Sequence, residues 1–321
     1  MTQTAVSEAI VDRIRAGHRP SIAQAISLLE ARHRGFVELG EAVWQAGGQA
    51  RIIGITGAPG SGKSTLTNAF VRVLRARGRR VGIIAIDPSS SISGGAILGD
   101  RIRMNGHTGD DGVFVRSLST RGSLGGLSRA TVDAVAVLDA AGFDDIVVET
   151  VGVGQAEVDI VKIAHSVLVV SVPGLGDDIQ MIKAGLIELA DIHVVNKADR
   201  ADVNKLVSEI KSMLTLAHTF HSAGWAPPVV ETISTKGSGI PDLVDAVDAH
   251  TTWLNTTGEI ERTRRRTVEV RIREIAKELL MDSIQDPARI GPLAELVAEV
   301  GSRQKSPYVA ARSLVAGGAI R

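Results

Sequence analysis

The chain has 321 residues, 36 basic side chains against 36 acidic ones, and no cysteine. Balanced charge gives no basic surface for general nucleic-acid binding, and the lack of cysteine excludes disulfides and thiolate metal sites. There is no apolar run of about 18 residues and no basic-then-apolar leader pattern, so a soluble, cytoplasmic protein is expected.

Residues 1–50 read as a helical extension. Ala5 to Ala16 and Ile22 to Val43 carry apolar side chains at three- and four-residue spacing, which predicts two helices packed outside the fold that follows. Gly17-His18-Arg19-Pro20 separates them, and Ser21 is a candidate N-cap.

Residues 51–250 alternate apolar strands with amphipathic helices. Strands are expected at Arg51–Thr56, Val81–Ile86, Val113–Ser117, Asp145–Thr150, Ser166–Val172, Ile192–Asn196 and Val229–Thr232. Such β-α alternation predicts an α/β fold with a doubly wound, mainly parallel sheet, whose ligands lie at the carboxyl ends of the strands. Residues 251–321 lose the alternation. They read as helices from Glu259 to Met281, Pro287 to Val300 and Pro307 to Val315, a tail that must pack on the main domain or on a second copy. The basic run from Arg262 to Arg266 reads as a solvated helix face.

The first chemical signal follows the first expected strand. Gly57-Ala58-Pro59-Gly60-Ser61-Gly62-Lys63-Ser64-Thr65 contains G-x-x-x-x-G-K-[ST], the phosphate-binding loop. Its glycines let successive backbone N–H groups turn toward phosphate oxygens, and the next helix presents its positive end to the same place. Lys63 is expected on the β- and γ-phosphates and the Ser64 hydroxyl on Mg²⁺. At average glycine usage, about 0.01 such matches arise by chance in a chain of this length.

Acids recur at the expected strand ends. Asp87 closes the second strand beside the loop, within reach of Mg²⁺. Asp100 lies in the glycine-rich stretch Ser93 to Arg101, which reads as a switch, and is a second candidate at the metal. Glu149 closes the fourth strand where a Walker B acid belongs. Gly152, three residues on, is the candidate whose N–H senses the γ-phosphate. Directly after that glycine a Ras-like protein carries the glutamine that positions water. Here the residue is Val153, with Gln155 two positions further on, so intrinsic hydrolysis is expected to be slow.

Asn196-Lys197-Ala198-Asp199 is N-K-x-D. A carboxylate at Asp199 pairs with the ring N–H and 2-amino group of guanine, donors that adenine lacks at those positions, and the Lys197 stem can cover the base. Ser234-Thr235-Lys236, after the last strand, are expected at the base edge. These residues point to GTP rather than ATP. His218 and His221 have helical spacing for a metal but no carboxylate or cysteine nearby.

Taken together, G-A-P-G-S-G-K-S-T, A-I-D-P-S-S, G-G-A-I-L-G-D-R-I-R-M, V-V-E-T-V-G-V-G-Q, V-P-G-L-G-D-D-I-Q-M-I-K-A-G and N-K-A-D resemble the MeaB-type GTPases, also called ArgK-type. The resemblance runs from about residue 20 to about 300. It implies a GTP-dependent chaperone of adenosylcobalamin-dependent methylmalonyl-CoA mutase that gates cofactor loading and protects or rescues the mutase. It implies GTP/GDP and Mg²⁺ as cofactors and a homodimer joined through the C-terminal helices. Lys63 and Ser64 carry over as phosphate and Mg²⁺ contacts, Asp87, Asp100 and Glu149 as metal-side acids, and Asp199 as the guanine contact. The loop Gly174 to Lys183, with Asp177, Asp178 and Lys183, carries over as the switch that couples nucleotide state to the mutase. Two other roles stay open at this stage. A nickel-enzyme metallochaperone is disfavoured by the absence of cysteine, and a transport-associated kinase or ATPase is disfavoured by N-K-A-D.

Overall fold

The computed structural model describes residues 3–33, 35–87, 109–119, 129–150, 156–174, 187–217, 224–285 and 290–316. Asp100, Gly152, Val153, Gln155, Asp177, Asp178, Lys183, His218 and His221 lie outside them. The described chain forms two compact units, residues 1–264 and 265–321.

Seven strands build one sheet in the first unit: β1 (Arg51–Gly57), β2 (Val81–Asp87), β3 (Val113–Ser119), β4 (Asp145–Glu149), β5 (Ser166–Ser171), β6 (Ile192–Asn196) and β7 (Val229–Thr232). Their order is β3-β2-β4-β1-β5-β6-β7, and every pairing is parallel. All seven expected strands are present within two residues of their bounds. They were legible because a parallel sheet covered on both faces is built from continuous branched apolar runs, such as Ile52-Ile53-Gly54-Ile55.

Helices cover both faces. Helices α1 (Gln3–Arg15), α2 (Arg19–Glu30), α3 (Phe36–Ala46), α4 (Lys63–Ala76) and α5 (Arg129–Ala140) come first. Then follow α6 (Val203–Ala217), α7 (Ile240–Thr257) and α8, which starts at Glu259. Ile53, Ile55, Val147, Leu168 and Val170 pack with Leu66, Phe70 and Leu74 of α4 and Leu243, Val244 and Val247 of α7. On the other face, Ile84, Ile146, Val148 and Val169 pack with α5, and this core continues through Ile14 of α1, Ile22, Ile26 and Leu29 of α2 and Leu39 and Val43 of α3.

The N-terminal segment corrects one expectation. It holds three helices, because the expected second helix breaks between Glu30 and Phe36. Arg32 takes a left-handed φ of 49° and Gly35 one of 87°, which turns the chain so that α2 and α3 both reach the α5 side of the core. Residue 250 lies inside α7, which runs on to Thr257 and buries His250 and Leu254.

The amino ends of the strands carry a charged clasp. Arg51 Nε lies 2.6 Å from the fully buried Asp145, and its Nη1 lies 2.5 Å from Asp248 of α7. The opposite, carboxyl ends are left for the polar loops.

The second unit comprises the rest of α8 (Glu259–Gln285), α9 (Ile290–Gly301) and α10 (Pro307–Ala316). It leaves large apolar side chains exposed, among them Ile272 at 62%, Val297 at 62% and Tyr308 at 86%. No helix among the described residues is long and apolar enough to cross a membrane.

Candidate functional site

The site forms where β1, β4, β6 and β7 end. β1 sits between β4 and β5, and Glu149 stands in register with Ile55, two residues before Gly57. Gly57 has φ 142°, and a Cβ there would overlap the Val170 carbonyl oxygen of β5. Only glycine lets the chain leave the sheet at this point. Gly62, with φ 87°, is the N-cap of α4, so the loop runs straight into a helix amino end.

Within the loop, Lys63 is 6% exposed and donates from Nζ to the carbonyls of Gly57 at 2.7 Å and Ala58 at 3.0 Å. The ammonium is thereby held over the loop's own hollow. Ser61 is fully buried and its Oγ has no hydrogen-bond partner among the described residues. A buried hydroxyl in that state costs free energy unless a ligand completes it. Pro59, Gly60 and Thr65 complete the stretch, and among the described residues nothing lies within 4 Å of the place a Gly60 Cβ would occupy.

Ser64, in the first turn of α4, donates its hydroxyl to Glu149 Oε1 at 2.5 Å. Glu149 is 6% exposed. One hydroxyl and one carboxylate from two elements converge at the loop, an all-oxygen donor pair of the kind Mg²⁺ takes beside phosphate. The donor chemistry fits the ion that the sequence led us to expect. Asp87 ends β2 at the same edge of the sheet, opposite Ser119 in register.

The third part is the end of β6. Asn196 is 2% exposed, and its Nδ2 donates to the Ser61 carbonyl at 2.9 Å. Its Oδ1 accepts from Ser234 Oγ at 2.7 Å, Thr232 Oγ1 at 3.2 Å and the Ser234 N–H at 3.3 Å. Lys197 adopts a left-handed φ of 56°, uncommon for a long side chain. That conformation carries its stem back across the loop, where Nζ donates to the Gly60 carbonyl at 2.9 Å. Asp199 is partly open to solvent and lies 3.5 Å from Lys236 Nζ. Thr235 lies in the turn between Ser234 and Lys236, which the Lys236 N–H to Ile233 carbonyl bond closes at 2.9 Å.

Lys63, Ser64, Glu149, Asn196, Lys197, Asp199, Ser234 and Lys236 are therefore gathered on one edge of the sheet. Two features escaped the sequence reading. One is the bracing role of Asn196, hidden because a motif does not reveal which side chain spans to which loop. The other is Glu157, whose only sequence signal is an acid eight residues beyond the strand-end Glu149.

A parallel sheet carrying this phosphate loop on its central strand and N-K-x-D on β6 is a P-loop GTPase fold. The chain belongs to the MeaB family: the family described as methylmalonyl-CoA mutase-associated GTPase MeaB matches residues 22–288. Among its relatives is a Pyrococcus abyssi protein provisionally named a GTPase, 45% identical over 314 residues, covering 96% of this chain and 97% of that one. Another is the mouse mitochondrial protein named methylmalonic aciduria type A homolog, 31% identical over 293 residues, covering 85% of this chain and 70% of that one. Among solved structures, one titled LAO/AO transport system kinase aligns with a TM-score of 0.70 at 26% identity, covering 97% of this chain and 96% of that one.

Proposed function

We propose that this chain binds GTP, hydrolyses it slowly, and uses the change to chaperone an adenosylcobalamin-dependent methylmalonyl-CoA mutase, gating cofactor loading and protecting or reactivating the mutase. The observation that carries the nucleotide part is the junction of the phosphate loop with N-K-x-D through Asn196 and Lys197. In this reading the loop Gly57 to Thr65 wraps the phosphates and Lys63 turns from the Gly57 and Ala58 carbonyls to the β- and γ-phosphates. Asp199, backed by Ser234, Thr235 and Lys236, reads guanine. Ser64 and Glu149, with Asp87 and Asp100, would hold Mg²⁺, which neutralises charge on the β- and γ-oxygens when bound.

Hydrolysis is attack of water on the γ-phosphorus. Lys63 and the loop N–H groups stabilise the negative charge as it moves toward the bridging oxygen. Gly152 senses the γ-phosphate, and the loop bearing Asp177, Asp178 and Lys183 passes its presence to the partner. The rate is slow alone because Val153 replaces a water-positioning glutamine, and the mutase raises it by ordering the switches. The exposed apolar faces of α8, α9 and α10 support a homodimer joined through the C-terminal helices. A cytoplasmic setting completes the proposal.

The mutase assignment leans on the family's description and on the mouse relative's name. The test is GTP turnover with and without purified methylmalonyl-CoA mutase. A rise in rate on adding the mutase supports the reading, and identical rates with no complex on gel filtration oppose it. The solved neighbour's title favours one second reading, a kinase. That reading requires transfer of the phosphoryl group to an acceptor; release of inorganic phosphate alone goes against it.

A further inference from the structure

Glu157 is the second residue of a helical turn, Ala156–Asp159, that continues as the 3-10 turn Ile160–Lys162. This turn lies against the site. Val158 packs on Ala58 of the phosphate loop, and a Cβ at Gly54 of β1 would meet Ile160 Cγ1 at 2.7 Å. Glu157 is thus carried to the lip of the loop on a turn pinned at Val158 and Ile160. It is half-buried; its Oε1 is shut off from solvent and accepts no hydrogen bond among the described residues. Burial pushes its carboxyl up from the usual range, and the Lys63 ammonium pulls it back.

Its neighbours leave it a distinct task. Glu149 already accepts the Ser64 hydroxyl on the metal side, whereas Glu157, on the turn that packs on Ala58, keeps an acceptor that no described residue fills. A carboxylate beside the place where a terminal phosphate docks is repelled by it. The repulsion is relieved by a molecule that donates to the carboxylate while presenting a lone pair to the phosphorus, and water does both.

We infer that Glu157 positions the attacking water and accepts its proton, an inference that rests on the GTPase reading above. The water oxygen forms the new bond to the γ-phosphorus. The bond from that phosphorus to the bridging oxygen breaks, and its electron pair leaves with GDP. The water proton passes to the Glu157 carboxylate and then to the released phosphate. A general base of this kind contributes about 10²-fold or more, so a chain that lacks the Ras-type glutamine position still has its own acceptor.

The experiment is single-turnover GTP hydrolysis by the full chain, Glu157→Gln and Glu157→Asp, with GTP and GDP affinities and the Mg²⁺ requirement measured alongside. Glu157→Gln is expected to slow the step about 10²-fold while both affinities and the Mg²⁺ half-saturation stay within threefold, with Glu157→Asp between the two. A rate for Glu157→Gln within threefold of wild type overturns the inference. So does a loss explained wholly by weaker GTP binding, a shifted Mg²⁺ requirement, or a lower melting temperature in both variants. Wild-type turnover equal to buffer would refute the hydrolase itself, and Glu157's role with it.

Discussion

Asn196 holds the phosphate loop to the end of β6: its Nδ2 donates to the Ser61 carbonyl at 2.9 Å while its Oδ1 collects Ser234 and Thr232. One side chain thus sets the separation between two loops that are about 130 residues apart in the chain. Asn196→Ala leaves a buried carbonyl and two hydroxyls without their partner. We expect it to destabilise the fold by about 3 kcal/mol and to weaken GTP and GDP equally. Denaturant unfolding and nucleotide titration check this. A loss in only one of the two nucleotides would mean that Asn196 senses phosphate rather than bracing the loop.

Ser64 and Glu149 lie 2.5 Å apart before any ligand is considered. Ser64→Ala should raise the Mg²⁺ concentration needed for GTP binding and leave binding in excess chelator unchanged, because it removes one metal oxygen and no phosphate contact. Titrations with and without Mg²⁺ separate the two. Equal weakening in both would place Ser64 on the phosphates instead.

The buried His193 and His250 and the half-buried His165 differ in how they are satisfied. His165 accepts the Ile52 N–H and His250 pairs with Ser166, whereas neither ring nitrogen of His193, on β6, has a hydrogen-bond partner among the described residues. Burial lowers His193 to about 4 from 6.5. Between pH 6.5 and 4 the unfolded chain therefore binds more protons at this position, and folding stability falls as pH falls across that window. His193→Leu removes the effect, so the variant's advantage over wild type should grow by about 3 kcal/mol between pH 7 and pH 4. Unfolding curves across that range measure it; a pH-independent difference contradicts it.

Much of this was readable in the residues, for physical reasons that vary by element. The strands announced themselves because both faces of the sheet are buried. The split between α2 and α3 did not, because the buried apolar positions Ile26, Leu29, Leu39 and Val43 keep a helical rhythm across the break. Only Gly35 marked it. Lys63, Ser64, Asn196 and Asp199 stood out in the sequence because a motif fixes their spacing, and the fold brings them to one edge of the sheet. The place of Glu157 beside the loop was not legible, because it comes from the packing of Val158 on Ala58, a contact between residues 100 apart.

The central claim is that this site reads guanine through Asp199. Equilibrium titration of wild type and Asp199→Asn with GDP and ADP tests it most directly, since a site built on a specific hydrogen bond rejects the analogue lacking it by about 10⁴-fold. We expect GDP to bind at least about 10³-fold tighter than ADP in wild type and that preference to collapse in the variant, with the fold intact. ADP binding within tenfold of GDP in wild type, or an unchanged preference in Asp199→Asn, would contradict it.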